Sequence, residues 1–219
     1  MTERQEIINK ALELYLKFGI KSITVDDLAN SLGISKKTIY QYINNKEELI
    51  EAVIDELASI IHYGIAKEMD SSEDIFDSLL RASVFLVKTM EKLSSSFVYS
   101  LQKYQHPLFY NLKDSTDKEL FSRTEKLIKA GIQNGYFRHD LNFDLLFSIH
   151  INNLLNMANG QGVFHGNKLT NETFFILMVN DIRGITTIEG HKILDSKVKK
   201  FLKNDKLLTY IYENDNKKI

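Results

Sequence analysis

The chain has no cysteine and a single proline, Pro107. Without cysteine there can be no disulfide, no thiolate catalysis and no cysteine-based zinc site. Long apolar runs are also missing. The longest stretch free of Asp, Glu, Lys and Arg runs from Leu145 to Asn167, and it is broken by His150, several Asn and three Gly. It reads as a helix and a loop at Gly160 to Gly166, not as a membrane span. The start, M-T-E-R-Q-E, has no apolar signal-peptide core, so a cytoplasmic protein is expected. Neither charge sign dominates: 28 Lys and Arg face 29 Asp and Glu, for a net charge of −1. Any affinity for nucleic acid must therefore come from a local patch. His62, His106, His139, His150, His165 and His191 form no pair at i, i+3 or i, i+4. Metal-protease, nucleophile-elbow and phosphate-loop patterns are missing too. These absences predict no catalytic residues, no cofactor, no metal and no enzyme.

Punctuation for helices is dense between Ile23 and Leu49. Thr24 is a good N-cap with Asp27 three residues on, a capping-box variant. Ile23 and Leu28 hold the hydrophobic-staple positions around it. Gly33 follows the apolar face of Leu28, Ala29 and Leu32 as a residue able to take positive φ. Ser35 then caps again, with Ile34 and Ile39 as its staple. A turn of about four residues between capped helices is what a helix-turn-helix needs. Asn45, with Glu48 three residues later, caps a third helix.

The second of these helices is expected from Ser35 to about Ile43. Ile39 and Ile43 make its inward stripe. From Gly33 to Lys46 there are three Lys and no acid. Lys, Thr and Gln suit base edges in the major groove, and Lys, Ser, Thr and Tyr suit phosphates. The predicted DNA contacts are Thr24, Ser35, Lys36, Lys37, Thr38, Tyr40, Gln41, Tyr42 and Lys46, with Thr24 and Lys46 clamping phosphate. The bland alternative is a solvated helical hairpin.

These residues resemble the amino-terminal pattern of the TetR family of bacterial transcription regulators. Thr24, Leu28, Ala29, Gly33, Ser35, Thr38, Tyr40, Lys46 and Leu49 stand at matching positions, and F-G-I-K-S-I at 18–23 fits the family's entry to its second helix. The likeness covers roughly the first fifty residues. Ile43 replaces the usual aromatic, and Lys37 stands where a small residue is common. The resemblance implies an all-α protein that binds operator DNA as a homodimer, pairing through two late long helices.

The rest of the chain reads as helices. Residues 3–18 carry Ile8, Ala11, Leu12, Tyr15 and Phe18 at helical spacing. A long helix from Lys46 to about Lys67 presents Leu49, Val53, Leu57 and Ile60, with Ile50, Ile54 and Ile61 beside them. A body follows from Ser71, with a break at Pro107 and a helix from about Ser115 to Asn134. Helices from Asn142 to about Ala158 and from Thr170 to about Ile188 carry an apolar surplus: Leu145, Leu146, Ile149, Leu154, Leu155, Phe174, Phe175, Leu177, Met178, Ile182 and Ile185. That surplus exceeds one bundle face and suggests a dimer interface. His150 lies there beside Asn152, Asn153 and Asn156, polar groups that need partners. Phe85, Phe97, Tyr99, Tyr104, Phe109, Tyr110, Phe121, Phe147 and Met157 offer apolar lining for a small-molecule pocket of unassigned contacts. Residues 192–219 hold eight Lys against four acids, most simply a solvated face.

The sequence thus predicts an all-α chain: a helix-turn-helix DNA-binding domain over residues 1–46, a connecting helix over 47–70, and a helical regulatory and dimerisation domain over 71–219. Its expected partners are a double-stranded DNA operator, a second copy of itself and a small-molecule effector, with no membrane. The competing reading is a helical small-molecule-binding or enzymatic protein that does not regulate transcription.

Overall fold

A computed structural model describes residues 2–72, 74–158 and 171–204, with the side chains of 91, 154–158, 171–174 and 203–204 excepted. The described residues form ten helices: α1 (Glu3–Phe18), α2 (Val25–Leu32), α3 (Lys36–Ile39), α4 (Lys46–Asp70), α5 (Ile75–Lys92), α6 (Ser95–Tyr104), α7 (His106–Gln133), α8 (Phe143–Ala158), α9 (Asn171–Ile185) and α10 (Ile188–Asn204). The fold is all-α; one isolated antiparallel bridge joins Phe137 and Thr186. Among the described residues no helix is long and apolar enough to cross a membrane.

The chain packs as two compact units. The first comprises Met1–Tyr63 and Thr89–Lys118; the second comprises Gly64–Lys88 and Glu119–Ile219. These packing units cut across the segments 1–46, 47–70 and 71–219. The helices α4, α5 and α7 each contribute residues to both units.

The core of the first unit follows the helical spacing of its sequence. Ile7, Ile8, Ala11, Leu12 and Tyr15 of α1 are buried, as are Leu28 and Ala29 of α2, Ile39, Ile43, and Leu49, Ile50, Val53, Ile54 and Leu57 of α4. Burial pushes the Tyr15 phenol up to about 12, because its ionised form would lose water. Phe18 and Ile60, expected inside, are 44% and 45% exposed. The Phe18 ring lies beneath the Lys17 ammonium at 5.0 Å. Gly19 ends α1 at φ 86°, and a Cβ there would crowd Ser96 at 3.1 Å. Both the conformation and the space call for glycine. The adjacent Ser94 N–H donates to the Leu16 carbonyl at 3.1 Å, so α6 is stitched directly to the end of α1.

The second unit is built around Phe76, Phe137 and Phe175, all almost completely buried. Phe76 and Phe137 meet edge to face, with centroids 5.4 Å apart. Thr187 caps α10 by accepting from the Gly190 N–H at 3.1 Å. Its own N–H reaches back to the Tyr136 carbonyl at 2.9 Å. Arg183 on α9 grips Asp195 of α10 with two bonds of 3.0 and 2.8 Å. Lys197, one of the basic tail residues, pairs with Asp74 and Asp77 near the start of α5 at 3.1 and 3.0 Å. Part of that tail is therefore structural rather than a solvated face; residues 205–219, Leu207 to Tyr212 among them, lie outside the described residues.

Two helix boundaries differ from expectation. Pro107 does not break the chain; α7 is one helix from His106 to Gln133. A proline in the first turn lacks an N–H that has no helical partner anyway, and its fixed φ suits the helix. The reading helix is also shorter than the span from Ser35 to Ile43. Helix α3 covers four residues and gives way to tight turns, with Gln41 N–H on Thr38 O at 3.2 Å and Tyr42 N–H on Ile39 O at 3.0 Å.

The tightest packing of α7 makes a stability test. A Cβ on Gly131 would fall inside the buried ring of Phe137, whereas one on Gly184 meets nothing within 4 Å. Gly131→Ala is expected to lower unfolding stability by about 1–3 kcal/mol through overpacking. Chemical denaturation should show this loss, and Gly184→Ala should not reproduce it.

Candidate nucleic-acid interface

Three capping arrangements place the interface. At α2 the Thr24 hydroxyl accepts from the Asp27 N–H at 3.1 Å, while the Asp27 carboxylate accepts from the Thr24 N–H at 2.9 Å and its hydroxyl at 2.6 Å. The capping box is complete with Asp in the role more often filled by Glu. Gly33 closes α2 in the left-handed region at φ 69°. Ser35 then caps α3, its hydroxyl accepting from the Thr38 N–H at 3.0 Å and lying 2.8 Å from the Thr38 hydroxyl. At α4 the Asn45 side chain accepts from the Glu48 N–H at 2.8 Å, and the Glu48 carboxylate takes the Asn44 N–H at 2.8 Å.

Between these caps the sequence-predicted contacts divide into two groups. Lys36, Lys37, Tyr40 and Gln41 are exposed, while Ile39 and Ile43 are 1% and 2% exposed. One turn of helix and the turn after it thus present two cations, a phenol and an amide on one side of a buried stripe. Lys36 already has a partner, Asp26 at 2.9 Å, and the hydrogen bond to that carboxylate raises its pKa. Both partners are exposed, so the pair is screened and weak. Thr24, Ser35, Thr38, Tyr42 and Lys46 are engaged internally. The Tyr42 hydroxyl donates to Glu3 at the start of α1. The Lys46 ammonium donates to the Ile23 carbonyl at 2.7 Å and the Ile20 carbonyl at 3.4 Å.

Asp26 and Glu3 escaped sequence reasoning. Asp26 sits ten residues from Lys36 and Glu3 sits 39 from Tyr42, and no helical spacing links either pair. A second site was foreseen only in outline. The second unit contains a cavity of about 290 Å³ lined by residues of α4, α5, α7, α8 and α9. Of the aromatics expected to line a pocket, Phe147 alone reaches this one. Tyr99, Tyr104 and Tyr110 are exposed in the first unit, and the Met157 side chain lies outside the described residues. Among the described residues no group of three or more His, Asp or Glu could hold a metal ion.

Residues 7–53 match the model of the bacterial regulatory proteins, tetR family. This segment, from α1 into α4, is the DNA-binding segment of TetR-family regulators. Among curated relatives, an HTH-type transcriptional regulator, YvaF of Bacillus subtilis, is 27% identical over 135 residues, 61% of this chain and 70% of that protein. The HTH-type transcriptional repressor KstR2 of Mycolicibacterium smegmatis is 22% identical over 150 residues, 67% of this chain and 73% of the relative. Among solved structures, the ketosteroid transcriptional regulator KstR2 of Mycobacterium tuberculosis has the same fold, with a TM-score of 0.58 and 21% identity, covering 85% of this chain and 96% of that one. The TetR-type chain is thus a transcriptional regulator with a helix-turn-helix DNA-binding head. The matched segment runs from α1 into α4 and includes every exposed residue of the basic face.

The caps carry a pH dependence. Asp27 is held below the usual carboxylate range first by the Thr24 hydroxyl and then by the Thr24 N–H. Glu48 is lowered chiefly by the Asn44 N–H and side-chain amide. A depressed carboxylate stabilises the fold above its unfolded pKa and loses that contribution as pH falls through its folded value. Thermal unfolding of the head should therefore be insensitive to these groups above about pH 5 and weaken below about pH 4. Asp27→Asn should flatten the acid limb, as read from unfolding midpoints across pH.

Proposed function

We propose that this regulator is a repressor that binds a pseudopalindromic operator as a homodimer and releases it when a small molecule occupies the second unit. The observation that carries the DNA-reading part is the exposed face of Lys36, Lys37, Tyr40 and Gln41 within the family-matched segment. Lys37 and Gln41 are positioned to meet base edges or phosphates, and Lys36 exchanges Asp26 for phosphate. Thr24, Ser35 and Thr38 contribute through hydroxyls already ordered by the caps. Tyr42 contributes through its tie to α1. Lys46 acts as a positioning residue: its ammonium fixes the loop before α2 against the start of α4, and its positive charge attracts nearby phosphate. The working division is a reading head over 1–46, a connecting helix over 47–70 and a regulatory body over 71–219. No catalytic role is assigned, and a cytoplasmic site of action follows from this function.

Pairing is supported by the outer face of α8. Leu145 and Ile149, one turn apart, are 56% and 50% exposed, and Ile176 of α9 is exposed as well. Apolar residues at that spacing need a cover, and a second copy offers an identical one under two-fold symmetry. The side chains of Leu154, Leu155 and Phe174, expected on the same interface, lie outside the described residues. A two-fold dimer places two reading heads on half-sites one helical turn, ~34 Å, or a multiple apart. The effector reading is supported by the cavity in the second unit. A ligand that prefers one of two dimer states shifts the population toward it by its differential affinity.

Lys36→Ala and Lys37→Ala should each weaken operator binding and reduce the slope of log affinity against log salt by about 1. Tyr42→Ala and Lys46→Ala should also weaken it, with the dimer intact. Fluorescence anisotropy on operator recovered from a random pool reads both quantities, and unchanged affinity in all four variants would sink the assignment. Ile149→Glu should convert the dimer to monomer in sedimentation and weaken operator binding with it. A parent protein that sediments only as a 25.3 kDa species would rule the homodimer out.

A further inference from the structure

The chemistry of the cavity restricts what can enter it. Its walls are aliphatic and aromatic, with Leu86, Ile128, Phe143, Phe147 and Met178 among them. Among its described lining residues Asp181 is the one with a formal charge, and none is Lys or Arg. The nearest cation on α9, Arg183, is spent on Asp195 through two bonds. An anionic head would therefore be desolvated without a counter-charge, which is costly in such a site.

The polar corner of the cavity is made by α8 and α9. His150 Nδ1 lies 2.5 Å from the Asp181 carboxylate. With the Nδ1–H donating to Asp181, the neutral ring keeps Nε2 as an acceptor. No described residue hydrogen-bonds that nitrogen. Asp181 is itself acceptor-only when ionised. Ser83, a buried lining residue on α5, donates its hydroxyl to the Leu79 carbonyl at 2.8 Å and keeps only lone pairs. Ser83, His150 and Asp181 thus offer acceptors; the Thr124 hydroxyl and the Asn180 amide also line the cavity, and the corner that asks for a donor is the one made by His150 and Asp181.

We propose that the effector is a compact apolar molecule carrying one hydrogen-bond-donating head, a hydroxyl or an ammonium, seated against His150 and Asp181; this rests on reading the cavity as the effector site. The volume of about 290 Å³ is at the small end for ligand sites, roughly 300–1,000 Å³. It suits a single short chain or ring system rather than a large conjugate. Neutral and cationic heads share the donor chemistry, and the charge of Asp181 separates them.

Three probes with one chain and different heads test this on the full-length protein: octan-1-ol, octylammonium and octanoate, titrated by calorimetry. Octan-1-ol and octylammonium should bind, and octanoate should bind roughly tenfold or more weakly. His150→Phe keeps a ring and removes both nitrogens, so it should weaken octan-1-ol and narrow its preference over octanoate, which Asp181 still disfavours. Asp181→Asn removes the charge and should cost octylammonium more affinity than octan-1-ol; in the parent protein, tighter binding of octylammonium marks a cationic head and tighter binding of octan-1-ol a hydroxyl. Octanoate binding as tightly as the other two would overturn the donor-head inference. The site itself has a separate control. Gly184 lines the cavity, and a side chain there starts in open space. Gly184→Trp should therefore fold, as checked by circular dichroism, and weaken every probe. Probes that bind this variant unchanged, or no probe binding to the parent at all, would overturn the cavity as effector site. Loss of head preference with retained sensitivity to Gly184→Trp would overturn the donor-head inference alone.

Discussion

The partly buried ammonium of Lys46 is the contact on which the reading head depends. It stands at the first turn of α4 and reaches back to the carbonyls of Ile20 and Ile23. Those carbonyls belong to the loop between α1 and α2, where no helix satisfies them. One cation thus provides partners for two backbone acceptors and holds α2 at a fixed place against α4. Helix α3 lies between those elements in the chain and has only four residues. A single turn has little stability of its own, because nucleating a helix costs more than one turn returns. It is held by Ser35 at one end, by buried Ile39 and Ile43 beneath, and by the fixed elements on either side. The exposed lysines can be presented in one geometry because the apolar face under them cannot move.

The reading of the head from sequence succeeded where the signals are local. Thr24 with Asp27, Gly33, Ser35 and Asn45 all act within four residues of themselves, and the structure uses each as its spacing suggests. The signals failed where the partner is distant. Lys46 reads from sequence as a phosphate clamp at a helix start, and its carbonyl partners 23 and 26 residues earlier leave no pattern. The spacing of Ile39 and Ile43 predicts a longer α3, yet two tight turns put them on the same side. Pro107 predicts a break, yet it stands in the first turn of α7, where its missing N–H has no helical partner to lose. For the body, the helices were legible and their content was not. His150 stood out by its polarity on an apolar helix, but Asp181, 31 residues on, could be named only after α8 and α9 were seen side by side.

The division into packing units changes how the parts share work. The segment Thr89–Lys118 belongs to the same packing unit as the head. The Ser94 bond to Leu16 and the crowding of Ser96 on Gly19 tie α6 to the end of α1. Any event that shifts α6 must then act on α1 through backbone, which transmits displacement better than a side-chain contact. The units are also joined by covalent chain in three helices, since α4, α5 and α7 contribute to both. Coupling needs two arrangements of such elements and a ligand that distinguishes them.

The cavity and the outer face of α8 share a wall. Leu146 and Ile149 line the cavity and are also exposed, and Leu145 sits beside them on the same face. Ile149 therefore cannot be moved by an occupant without changing the surface offered to a second copy. Because the walls are side chains packed on one helix, a small shift of α8 alters both. Linkage then works in two directions: a ligand that favours one pairing of α8 faces is bound more tightly by that pairing. Under the proposed pairing, cavity and α8 face are one element seen from two sides, and no separate relay between them is needed.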